Sequence, residues 1–213
     1  TSRAPLGVSG EARFPLGPLP TGGTAEDLFI ERARLADATL ELGDRDSELV
    51  EAVCAGLDGM PLGIELAAAS LRSLALSDVV ARLSQSLDAF ESPLRDAPAR
   101  QRNLRSAIQW SYDLLGEGER LLFQLLEVFS GGWQLDSAGD VCSGEGVERR
   151  EVLRLLRTLV DHGLVVFDAP ARRYRFLEPV RQFAEERCPG QHFHQRHAEY
   201  FAGFAEELGV AIR

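Results

Sequence analysis

The sequence contains no lysine, and all 23 of its basic residues are arginines. That absence excludes a Schiff-base lysine, a lysine general base and a P-loop lysine within this chain. Any phosphate chemistry must borrow its P-loop from elsewhere. Cysteine is scarce too. Cys54, Cys142 and Cys188 are odd in number, far apart and never in a CxxC spacing. Such a set argues against a disulfide framework or a cysteine zinc knuckle and suits a reducing, cytoplasmic compartment. No apolar run approaches the length of about 18 residues that a membrane span needs, and the N-terminus has no signal-peptide pattern, so no membrane partner is expected. G-x-S-x-G, H-E-x-x-H and the EF-hand loop are all missing. No catalytic residue is assigned, and no activity is expected from this chain alone. Internal repeats and low-complexity segments are also lacking. The chain starts at Thr1 without methionine and is expected to be part of something longer.

What remains is ordinary globular material: 45% hydrophobic and 26% charged residues over 213 positions, with a net charge of −10. The length suits one large domain or two small ones. An acidic balance argues against a chain-wide nucleic-acid footprint, because phosphate contacts need concentrated positive charge. A local basic face remains open.

The first 23 residues are rich in Gly and Pro and read as loop, with a short extended piece around Arg13 to Leu16. Thr24 stands as an N-cap before a helix whose stripe is Leu28, Phe29, Arg32 and Leu35. Leu49, Val50, Val53, Cys54 and Leu57 mark a second helix ending at Asp58-Gly59, and Pro61 opens a third at its first turn. Ser77 caps a fourth, with Val79, Val80 and Leu83 inward. Four short helices with short loops make a compact bundle. A connector with Pro93 and Pro98 follows. Apolar spacings then place helices at Leu104–Leu115, Leu121–Phe129, Asp136–Val141 and Val152–Val160. Two β-rich runs, LVVF from Leu164 and YRFL from Tyr174, read as a hairpin. Helices followed by a two-stranded wing is the order of a winged-helix domain. A last helix is expected from His197 to Leu208.

Three constellations invite chemistry. Cys188 with His192, His194 and His197 offers metal-ligand types, but all four sit in one short segment, whereas a structural zinc site takes two separated ligand pairs; no metal site is assigned. Glu65 in the apolar third helix reads as pointing outward or pairing with an arginine. Between Glu148 and Arg187, nine arginines face seven acids. Arg172 and Arg173 fall on the wing, where phosphate contacts would lie. The helix before it carries Leu153, Leu156 and Leu159 around its circumference, which suits packing better than base readout, so direct DNA binding is disfavoured.

Several segments together resemble the signal-transducing ATPases of the NB-ARC (STAND) class, as found in bacterial LuxR-type and related transcriptional regulators. They are TSR at Thr1–Arg3, GLDGMPLGIELAAASL from Gly56, LRSAIQWSYDLLGEGERLLFQLLEVFSGGWQL from Leu104, and LVDHGLVV with RYRFLEPVRQFAEERC. The resemblance implies that Arg3 is a sensor arginine reaching the nucleotide γ-phosphate, and that Pro61, with Gly59 and Leu62, packs on the adenine. It implies ATP or ADP with magnesium in a longer parent, a P-loop domain upstream as partner, self-association and an effector protein. Relatives of that class can carry Met-His-Asp after the wing, its histidine on the ADP phosphate. Phe176, Leu177 and Glu178 stand there instead, with Arg181 as a substitute phosphate contact.

The expected organisation is thus mainly α: the end of a nucleotide-binding core and connector at 1–23, a helical lid bundle at 24–90, and a linker at 91–102. A winged-helix domain with a small β-hairpin wing follows at 103–188, then the start of a helical array at 189–213. The expected role is a nucleotide-switched regulatory lid. The alternatives are a winged-helix DNA-binding protein with a helical dimerisation bundle, or a helical protein-binding adaptor.

Overall fold

In a computed structural model the chain is described apart from residues 1–7, 13, 15, 84–85, 93–97, 145, 189–191 and 212–213; at 44, 100, 192, 207–208 and 210–211 only the backbone is described. It is mainly α-helical, a helical bundle followed by a winged helix with one two-stranded hairpin. Contacts divide it into two compact units, one from residues 12–110 with 177–182, the other mainly from 111–176 and the described residues from 183 on.

The first unit holds α1 (Thr24–Ala36), α2 (Ser47–Gly56), α3 (Pro61–Ser70) and α4 (Leu76–Leu83). Thr24 lies inside α1 rather than capping it. The Glu26 carboxylate does the capping, accepting the Gly22 N–H at 3.0 Å and the Gly23 N–H at 2.6 Å. The buried face of α1 is Ala25, Phe29 and Ala33, one turn apart, while Leu35 is 70% exposed. Two alanines flanking one phenylalanine let α3 pack closely, and that face excludes Leu35 from the stripe expected for it. From α2 come Val50, Val53, Cys54 and Leu57, and from α3 Ile64, Leu66, Ala67 and Ala68, all buried in the same core. Glu65 pairs with Arg32 at 3.1 Å on the half-exposed side, as expected of a carboxylate in an apolar helix. Phe14 and Leu16 are exposed, and Arg13 lies outside the described residues.

Between the units in sequence runs α5 (Leu104–Asp113). In the second unit, α6 (Glu117–Leu125) passes into a 3-10 turn at Leu126–Val128, followed by α7 (Leu135–Cys142) and α8 (Val152–Asp161). Gly163 then turns the chain at φ +70° into the wing. Strand β1 (Val166–Asp168) pairs antiparallel with β2 (Arg173–Arg175), Phe167 opposite Tyr174. Trp133 extends the ladder by one bridge, exchanging N–H···O bonds with Tyr174 at 2.8 Å each way. The core is aromatic at its centre: Phe123 meets Phe176 edge-on at 5.1 Å, and Trp133 meets Phe176 at 5.0 Å. The chain continues through α9 (Glu178–Glu185) into α10 (His192–Ala211), which begins five residues before the expected His197. No described helix is long and apolar enough to cross a membrane.

Candidate functional site

The turn from α2 to α3 is built by two successive left-handed residues. Asp58 has φ +49° and Gly59 φ +67°. The Gly59 N–H returns to the Cys54 carbonyl at 3.0 Å, closing the end of α2. The Gly59 carbonyl accepts the Leu19 N–H at 2.8 Å, and a Cβ on Gly59 would stand 2.0 Å from the Leu19 carbonyl oxygen. Only glycine fits this position. Met60 is extended, as the residue before a proline should be, and Pro61 then takes the first position of α3. Its ring is exposed and Leu62 is half-buried, so Pro61 and Leu62 present a rigid, partly apolar ledge, while Gly59 is buried against Leu19. Arg3 lies outside the described residues.

Asp58, which the sequence marks only as a helix end, joins this turn to α9. Its Oδ2 accepts the Glu178 backbone N–H at 2.5 Å, placing negative charge at the positive end of that helix. Glu178 in turn receives Arg181 through Nε at 2.9 Å and Nη2 at 2.8 Å, and Gln182 at 3.3 Å. The Arg181 hydrogen bond holds the Glu178 carboxyl below the usual range, against the opposing effect of burial. The guanidinium of Arg181 is therefore already engaged by a carboxylate. The Asp-Gly pair signals the end of α2 in the sequence but gives no sign of its partner on α9.

The wing places its two arginines differently. Arg172 sits exposed at the turn with φ +53°, and the Asp168 carboxylate accepts the Ala171 N–H at 3.1 Å to shape that turn. Arg173 reaches back along the sheet and donates to the Gly132 carbonyl at 2.7 Å, with Gly131 at 3.3 Å. On α8, Leu155, Leu156 and Leu159 are buried, while Leu153, Arg154 and Arg157 face solvent. Arg154 pairs with Glu119 at 3.0 Å and lies 3.7 Å from Glu151, Arg150 pairs with Glu148 at 2.6 Å, and Arg149 pairs with Asp140. Among the described residues no ion pair engages Arg157 or Arg172. The α8 face is therefore charged but largely self-neutralised.

A third grouping brings Glu127, Cys188 and His194 together, each offering one donor atom within 4.8 Å of the others. Of the histidines expected to cluster, His192 has no described side chain. His197 packs on the rings of Phe129 at 5.0 Å and Phe201 at 4.7 Å. Burial, then the charge of His194, lowers its basicity.

No protein family matches this chain in a family scan. A protein of Mycobacterium tuberculosis strain H37Rv, provisionally named an HTH-type transcriptional regulator, is 35% identical over 215 residues, taking in 99% of this chain and 24% of its own length. A Mycobacterium bovis protein with the same kind of name matches to the same extent. An uncharacterized Mycobacterium tuberculosis protein is 34% identical over 190 residues, 88% of this chain and 48% of its own. The chain thus spans between about a quarter and about half the length of these curated relatives.

Proposed function

We propose that the chain is a winged-helix segment of an HTH-type transcriptional regulator working inside the cell. The observation that carries this reading is the 35% identity running through 99% of the chain, on a bundle-plus-winged-helix fold, to proteins named for transcriptional regulation. Those names favour contact with DNA over a nucleotide-gated lid. In the DNA reading, Arg157 on α8 and Arg172 on the wing meet phosphates, because among the described residues their guanidinium groups are held neither by a carboxylate nor, as that of Arg173 is, by backbone carbonyls. Base readout would be slight, since α8 offers Leu153, and its hydroxyl, Thr158, is turned back onto the Arg154 carbonyl at 3.3 Å. Fluorescence anisotropy with a random-sequence duplex tests it. Two phosphate contacts predict a slope of log affinity on log salt of about −2, and Arg157→Ala with Arg172→Ala should flatten it. A salt-insensitive signal, or none, rejects DNA contact by this segment.

The second reading keeps the segment as a nucleotide-switched lid that opens for self-assembly and effector binding. It is favoured by the resemblance at Gly56–Leu71 and by the rigid ledge of Pro61 and Leu62, set by the turn at Gly59. With no lysine, the chain supplies no P-loop, so ATP or ADP with magnesium would be held chiefly by an upstream partner domain, with Arg3 at the γ-phosphate. In a longer protein carrying this segment, Pro61→Gly should weaken ADP binding by removing the apolar ledge. Unchanged ADP affinity rejects the lid.

A further inference from the structure

Glu127 stands in the apolar run Leu125–Phe129 and is 9% exposed. Its Oε2 is fully buried and has no hydrogen-bond partner among the described residues. A buried carboxylate in that state is costly unless a cation neutralises it. Two side chains converge on it from the far side of the sequence. His194 Nε2, in the first turn of α10, lies 3.5 Å from Glu127 Oε2. The Cys188 thiol, just beyond α9, completes a group whose donors all lie within 4.8 Å of one another.

From this geometry we propose that Glu127, Cys188 and His194 form a three-ligand site for a zinc-type divalent cation. Thiolate, imidazole and carboxylate are the three zinc ligand types, and a three-ligand site leaves a fourth position for water. Zinc bonds of about 2.0–2.3 Å place tetrahedral donors roughly 3.5 Å apart. The carboxylate and imidazole already stand at that separation, and closing the thiol from within 4.8 Å requires a shift of about 1.3 Å at most. His194 is about half exposed and Cys188 half-buried, so the ion has a route in while Glu127 sits at the dry end. The ligand from a distant segment, which the clustered Cys and His residues lacked in sequence, is Glu127. Binding would release the thiol proton and tie the first turn of α10 to the 3-10 turn at Leu126–Val128. The ion thus fixes the path by which the chain leaves the winged helix.

The test is a Co(II) titration of the untagged, reduced and metal-free chain, followed by displacement with Zn(II). The expected result is one equivalent bound, with a thiolate-to-cobalt charge-transfer band that zinc abolishes. That band reports Cys188, because burial pushes the thiols of Cys54 and Cys142 up to about 12. Cys188→Ser should remove the band. His194→Ala and Glu127→Gln should each weaken binding about tenfold or more while leaving the metal-free far-ultraviolet circular dichroism unchanged. Zinc should also raise the melting temperature of wild type but not of Cys188→Ser. Absence of the band with metal in large excess overturns the site, as does its persistence in Cys188→Ser. Equal affinity in His194→Ala overturns it as well, and that variant decides the matter if Glu127→Gln fails to fold.

Discussion

A missing methyl group decides the path of the chain at Gly59. Gly59 and Gly163 have nearly the same left-handed φ, +67° and +70°, but a Cβ would meet the Leu19 carbonyl oxygen at 2.0 Å in the first and nothing within 4 Å in the second. Gly163→Ala should therefore cost only the left-handed penalty, about 1 kcal/mol. Gly59→Ala should cost about 3 kcal/mol or more, because backbone must move as well. Urea unfolding of the two variants checks this, and equal costs would show that the approach of Leu19 is unimportant. Glu178 gives a pH signature. Its carboxyl is held low in the folded chain, so the stabilisation is present above the ordinary carboxylate range and is lost as pH falls through the folded value. Wild type should lose stability below about pH 5 more steeply than Glu178→Gln, with a difference at neutral pH of about 0.5–1 kcal/mol because the pair is partly exposed. Parallel pH curves for the two proteins would remove Glu178 from this role. The α2–α3 turn was legible from Asp58-Gly59 and Pro61 because turn chemistry is local. The bond from Glu178 to Asp58 was not, since no local pattern announces a partner 120 positions away.

Helix α8 shows why periodicity locates a helix more reliably than it assigns a face. Leucines at 153, 156 and 159 lie around the circumference by spacing, and in the fold Leu153 is 36% exposed while Leu156 and Leu159 are fully buried. Val152 and Leu155 complete the buried face with Leu156 and Leu159. Leu156→Ala should therefore cost about 2–5 kcal/mol by leaving a cavity. Leu153→Ala should stay within about 0.5 kcal/mol. Thermal melts of the pair distinguish the faces, and similar losses would contradict this burial. The wing was legible as a hairpin but its strands are shorter than the apolar runs. Leu164 and Val165 before β1, and Phe176 and Leu177 after β2, are buried and anchor the hairpin instead of lengthening it. The early start of α10 had no sequence signal, because His192 to Arg196 is mostly polar and carries neither a cap nor a stripe.

Across the whole chain, a net charge of −10 opposes any approach to DNA, so a DNA-contacting face must gain more from local cations than the overall field costs. On α8 and the short turn before it that gain is restrained by the chain's own acids. Glu148 neutralises Arg150, while Glu119 and Glu151 flank Arg154. Removing those acids separates the two functional readings better than removing arginines, because it adds exposed positive charge without deleting a contact. If this face meets phosphates, Glu148→Gln with Glu151→Gln should tighten binding to a random duplex. The salt slope should steepen from about −2 towards −3 as Arg150 becomes available, Arg154 remaining paired with Glu119. If the winged helix instead serves as a switch element, the same variant should leave DNA affinity at the background set by net charge. The pairs are largely exposed, so the variant should lose no more than about 1 kcal/mol of stability. An unchanged slope in a folded double variant would therefore place the DNA contacts of such a regulator outside this segment and leave its winged helix as an internal control element.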